Sequence, residues 1–183
     1  ATISYCFIGT NAAGTAASAN VTQGVIASGA DLALDHNLIS GNGDDGVWLD
    51  TGADRATLTD NYIGTTVTGN AALANTQEGV ELIGVANVVI GTSGHGNVIS
   101  GNQFNGIQIR TTLATSVLGA GTIEGNLIGL DATGSTTIPN AGIGVSIVDG
   151  DLPNSGIGRA GPITIGGTVL AFAEGRKQTS GDA

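Results

Sequence analysis

Two eleven-residue sentences in this chain are near copies. Residues 37–47 read NLISGNGDDGV and residues 97–107 read NVISGNQFNGI. A second sentence occurs in three ungapped copies: IGTNAAGTAASANVTQGV (8–25), IGTTVTGNAALANTQEGV (63–80) and IGLDATGSTTIPNAGIGV (128–145). Gly, Gly, Asn and Gly recur at the same offsets in each: Gly9, Gly14, Asn20, Gly24; Gly64, Gly69, Asn75, Gly79; Gly129, Gly134, Asn140, Gly144. The two kinds of sentence alternate along the chain. Self-similarity at a fixed period is the signature of a stacked architecture, in which each unit buries its apolar face against the next.

The stretches between the glycines are short and of β type. One set follows a glycine: Val25-Ile26, Val47-Trp48-Leu49, Val80-Glu81-Leu82, Ile107-Gln108-Ile109 and Val145-Ser146-Ile147. Another is Leu32-Ala33-Leu34, Ala56-Thr57-Leu58 and Val88-Val89-Ile90, and the third is the Asn-x-Ile element itself. No helical period is present, so the chain is all-β. Strands this short bury nothing alone. Stacked about 4.8 Å apart, they would bury Val, Ile and Leu in one column. The fold class expected is a parallel β-helix of roughly five to six coils.

Within that frame the residue two before each recurring Ile is Asn37, Asn61, Asn97 and Asn126 in successive coils. An amide can donate and accept at once, so stacked copies can bond in a ladder along the axis. Asn also tolerates unusual backbone angles at a tight turn. In SYCFIG the ladder position falls on Cys6, which suggests a buried thiol in place of Asn.

The pattern NxISGNxxxGIxI alternating with NxIGTxxxGxxAxxNxxxGVxI resembles the right-handed parallel β-helix repeats of long secreted bacterial surface proteins, within the pectate-lyase-like superfamily. The resemblance covers residues 1 to about 168. It implies right-handed coiling, an extracellular or cell-surface location, and a scaffolding or adhesive role. Residues 161–168, GPITIGGT, resume the pattern, and 169–183 abandon it as an irregular tail or lid. The opening ATISYCFIGT begins in mid-pattern without a polar cap, so end-to-end stacking or continuation into further coils is expected of 1–168.

Composition limits the partners. The chain has 183 residues, 32 of them Gly, and a net charge of −10 with five Lys and Arg in total. Nucleic acid requires a basic footprint, which is missing. No apolar run is long enough for a membrane span, so membrane insertion is not expected. Seven of the fifteen acidic residues fall at Asp31, Asp35, Asp44, Asp45, Asp50, Asp54 and Asp60. Asp44, Asp45 and Asp50 flank one strand and its preceding turn. They are the place to look for calcium, although solvated turn residues would read the same way. The calcium nonapeptide and the EF-hand loop are both absent, and no cofactor is required.

Gly43-Asp44-Asp45 and Gly94-His95-Gly96 resemble two motifs of the polygalacturonases, in which paired carboxylates cleave a glycosidic bond. That family also carries Asn-Thr-Asp and Arg-x-Lys. This chain offers Asn20-Val21-Thr22-Gln23 one coil upstream, and Arg176-Lys177 only in the tail. The pattern is incomplete, so no catalytic residue is assigned. Arg55 and Arg110 have no evident acidic partner by register and read as surface charges. His36 reads as solvated at a corner, and His95 as part of a loop. Trp48 alternates outward and could stack on a sugar ring, while Tyr62 and Phe104 do not line up with it. Thr10 and Thr65 repeat but Leu130 breaks their file, which argues against an ice-binding face. The function expected is a non-catalytic structural or adhesive rod segment. The alternative is a polysaccharide-binding or polysaccharide-degrading β-helix, with surface carbohydrate as partner.

Overall fold

A computed structural model describes residues 1–110, 121–148 and the backbone of 163–166. The short β-stretches become sixteen strands in three parallel sheets. The first sheet stacks β1 (Thr2–Ser4), β4 (Ala33–Asp35), β7 (Thr57–Thr59), β10 (Val89–Ile90), β13 (Gly121–Glu124) and β16 (Ile163–Gly166). The second stacks β2 (Phe7–Ile8), β5 (Leu38–Ile39), β8 (Tyr62–Ile63), β11 (Val98–Ile99) and β14 (Leu127–Ile128). The third stacks β3 (Val25–Ala27), β6 (Val47–Leu49), β9 (Val80–Ile83), β12 (Ile107–Arg110) and β15 (Val145–Val148). Consecutive strands lie in different sheets, and every pairing joins one turn of the chain to the next. The described residues therefore form a parallel β-helix of five coils, with β16 opening a sixth. Parallel crossovers of this kind are right-handed in nearly all proteins.

Register puts like residues on like. Ile8, Ile39, Ile63, Ile99 and Ile128 form one file. Leu34, Leu58, Ile90 and Ile123 form a second. Val25, Val47, Val80, Ile107 and Val145 form a third. These files make a single core, sealed in the middle coils and opening toward Ile3, Ile8, Ala27 and Val145. Truncating one of the sealed residues to Ala would cost roughly 2–5 kcal/mol.

The corners are made by residues in left-handed backbone conformation. Between first and second sheets these are Tyr5, His36 and Asp60, with φ of 56°, 54° and 55°, and Gly125 at 72°. The residue that takes the unusual angle thus precedes the ladder Asn, contrary to the expectation that the Asn itself would. Between second and third sheets, Gly9, Gly41, Gly64, Gly101 and Gly129 take that role. At Gly64 only glycine fits, because a Cβ there would lie 2.3 Å from Asn102 Oδ1.

The alternation of sentences has a structural cause. Coils one, three and five carry an excursion after the second sheet, closed by antiparallel bridges Thr10–Ala17, Thr65–Ala72 and Leu130–Thr137. These hairpins reach over the plainer coils between them: Val67 N–H donates to Gly14 O and Ala132 N–H to Gly69 O, each at 2.9 Å. The plain coils reply through serine. Ser40 Oγ accepts Gly64 N–H at 3.0 Å, and Ser100 Oγ accepts Gly129 N–H at 2.9 Å. The ISGN and IG sentences are complementary halves of one two-coil unit. Residues 169–183 lie outside the described residues, as does Arg176-Lys177.

Candidate functional site

The amide file stands where the spacing put it. Asn37 Nδ2 donates to Asn61 Oδ1 at 3.0 Å, Asn61 Nδ2 to Asn97 Oδ1 at 2.9 Å, and Asn97 Nδ2 to Asn126 Oδ1 at 2.8 Å. Each amide also donates to a carbonyl of the coil before it: Ile3, Leu34, Leu58 and Ile90 in turn. The Oδ1 atoms of Asn37, Asn61, Asn97 and Asn126 each accept a backbone N–H, from Cys6, Asn37, Asn61 and Asn97 in turn. The buried side chains are fully satisfied, as polar groups in an apolar column must be. Cys6 keeps the register through its backbone only. Its thiol is exposed and donates to Ser4 O at 3.3 Å, so the expected buried thiol is not found.

A second amide file went unread in the sequence. Asn20, Asn42, Asn75, Asn102 and Asn140 are linked Nδ2 to Oδ1 at 2.9 Å throughout. It runs along the corner between second and third sheets. Its signal was present in the recurrence of Asn20, Asn75 and Asn140, but the hairpins displace them from Asn42 and Asn102 in any direct alignment.

Beside that corner lies an acidic cluster on the outward side of the third sheet. Asp45, Glu78 and Glu81 are all buried, and Asp45 Oδ1 accepts Glu78 N–H at 3.0 Å. Asn105 Nδ2 donates to Glu78 Oε1 at 3.1 Å, and Gln23 Nε2 to Asp44 Oδ2 at 2.9 Å. Burial, helped by the Glu81, Asp44 and Glu78 charges, pushes the Asp45 carboxyl up to about 7. Burial also raises Glu81, against the opposing pull of Arg110, which bonds it. Arg110 and Arg55 thus both have acidic partners, contrary to the sequence reading: Arg55 grips Asp31 with two bonds of 2.8 Å. Asp45 is no solvated turn residue. Asp50 caps its own turn at Thr51 N–H, 2.7 Å away. Asp44, Asp45 and Asp50 do not converge as a trio of ligand atoms within 4.8 Å. Trp48 is half-buried on the same outward side, and its Nε1 is enclosed without a hydrogen-bond partner.

The flank formed by the second sheet holds a groove of about 610 Å³. Its floor is the outward side of the second sheet, where Phe7, Leu38, Tyr62, Val98 and Leu127 stand in register. The hairpin residues Val67 and Ala132 line it, as do the corner residues Tyr5, His36 and Asp60. Tyr62 is in file with Phe7 on the second sheet, apart from Trp48 on the third, as the sequence reading had it. Phe104 stays apart and exposed.

At this corner His36 and His95, the chain's two histidines, meet one carboxylate. His95 Nδ1 donates to Asp60 Oδ2 at 2.9 Å, and His36 Nε2 stands 3.9 Å from the same oxygen. His36 Nδ1 lies 2.9 Å from Asp35 Oδ2, and Thr59 Oγ1 donates to Asp35 Oδ1 at 2.8 Å. His36, then Thr59, hold the Asp35 carboxyl below its ordinary value. The Tyr5 ring stacks on His36 with centroids 4.9 Å apart. His95 arrives by a turn at Thr92–His95 that no other described coil has at this corner. Asp44-Asp45 leads into β6 and His95 into β11, so the two polygalacturonase-like motifs sit at different corners. Neither a protein-family profile, nor a curated protein, nor a solved structure matches this chain.

Proposed function

We propose that the chain is a non-catalytic structural module, a rigid rod segment of a secreted or cell-surface protein. The observation carrying this reading is the pair of amide files, one of four asparagines through coils two to five and one of five through coils one to five, beside one aliphatic core. Such files couple each coil to its neighbours by directional bonds, so bending the rod must break several at once. The likeness to right-handed β-helix surface proteins supports an extracellular setting. Electron microscopy with sedimentation at rising concentration tests the rod reading. Threads or concentration-dependent lengthening are expected. Release of reducing ends or unsaturated products from pectin-like polymers would overturn the non-catalytic reading.

A second reading rests on the groove. An apolar, partly aromatic floor with a Tyr5, His36 and Asp60 edge suits the faces and hydroxyls of a polysaccharide chain. A thermal-shift panel of neutral and acidic polysaccharides tests it, since a ligand of the folded state alone raises the melting point. Loss of any shift in Tyr62→Ala would place the ligand in the groove. Calcium belongs in the same panel, with Asp44→Asn and Asp50→Asn as its probes.

A further inference from the structure

We propose that Asp35, His36 and Asp60 bind a divalent first-row transition metal, zinc by preference, on the rim of the lateral groove, with His95 positioning the Asp60 carboxylate. Each of the three residues offers one ligand atom, and these lie within 4.8 Å of one another. Ligands about 2.0–2.2 Å from a tetrahedral zinc stand about 3.3 Å apart. The three donor atoms, within 4.8 Å of one another, need only draw in toward that spacing. Asp35 Oδ2 lies 2.9 Å from His36 Nδ1 and Asp60 Oδ2 lies 3.9 Å from Nε2, so one ring nitrogen takes the ion and the farther carboxylate turns to it. Side-chain rotation alone can close the set, since the His36 and Asp35 side chains are partly exposed.

The donor chemistry selects the ion. One imidazole with two carboxylates suits zinc and its neighbours, whereas calcium seeks six to eight oxygens. Supporting contacts of the kind that orient metal ligands are also in place. Thr59 Oγ1 holds Asp35, Tyr5 lies against the His36 ring, and His95 Nδ1 donates to Asp60 Oδ2. The four residues come from three successive coils, so an ion here would tie their corners together. The inference is independent of the rod function and of any polysaccharide.

The test is titration of the metal-stripped chain with zinc chloride by calorimetry and thermal shift, with cobalt(II) absorption as a second probe. One saturable site and a higher melting point are expected. His36→Asn and Asp60→Asn should abolish both, and Asn tolerates the left-handed angle each position requires. His95→Ala should weaken binding about tenfold, as loss of a supporting contact does. Asp44→Asn, at another corner, should change nothing. Nitrogen NMR of the two histidines in the unaltered chain decides the matter even if a variant misfolds: the His36 ring nitrogens should shift with zinc. No saturable binding, an unshifted His36, or binding that survives both Asn variants overturns the proposal.

Discussion

Asn61 Nδ2 donates to Asn97 Oδ1 at 2.9 Å, although the two residues are 36 positions apart. That bond exists only because the intervening chain completes one turn and returns in register. The same Asn61 amide donates to Leu34 O, and its Oδ1 accepts from Asn37 N–H and Nδ2. One side chain thus joins three coils.

Asn61→Ala strands several buried partners at once. The expected loss is about 3 kcal/mol or more, since each orphaned buried group costs roughly 1–3 kcal/mol. Asn61→Asp should be no better at neutral pH, because it sets an oxygen against Asn97 Oδ1 and Leu34 O. Urea denaturation of both variants checks this.

Gly64 and Gly94 separate two kinds of glycine requirement. Both have positive φ, 87° and 83°, but a Cβ at Gly64 meets Asn102 Oδ1 whereas one at Gly94 meets nothing within 4 Å. Gly94→Ala should cost about 1–2 kcal/mol from backbone strain. Gly64→Ala should cost clearly more, or prevent folding. Equal costs would show that the second amide file is not close-packed.

The raised Asp45 carboxyl predicts a pH dependence of definite sign. Its value lies above the unfolded 3.8, so folding takes up a proton between 3.8 and about 7. This group's contribution to stability is full below 3.8 and is lost as pH rises toward about 7. Glu81 is raised too and acts in the same direction. Melting temperature, corrected for the other carboxylates by comparison with Asp45→Asn, should fall over that window in the parent and fall less in the variant.

The two arginines should differ. Arg55 and Asp31 are both exposed, so Arg55→Ala should leave stability almost unchanged, and wholly so in high salt. Glu81 is only 5% exposed, and Arg110→Ala leaves it without that partner. A loss of roughly 1–3 kcal/mol is expected there.

Much of this was legible in the order of residues. The Ile file and the Asn37, Asn61, Asn97, Asn126 file follow from short-range spacing, because Asn and Ile sit on the same short segment in every coil. The second amide file was not legible, because Ile39 is followed by its Asn at position 42 but Ile63 by its Asn at position 75. Only the folded hairpin brings Asn42 and Asn75 level. The corner cluster was hidden for a related reason. His95 rides on an excursion peculiar to one coil, so no period points to Asp60. The arginine pairs depend on side-chain reach between coils, which register alone does not reveal. Cys6 misled because equivalence of position was read as equivalence of burial.

The hairpins of the odd coils lean across the even ones, and this restricts how such a gene can grow. Duplicating or deleting a single turn would set two excursions side by side, or leave two serine corners facing each other. Neither Gly64-like backbone amides nor Ser40-like hydroxyls would then find counterparts. Viable changes of length should come in pairs of turns, so parity is inherited along with the fold.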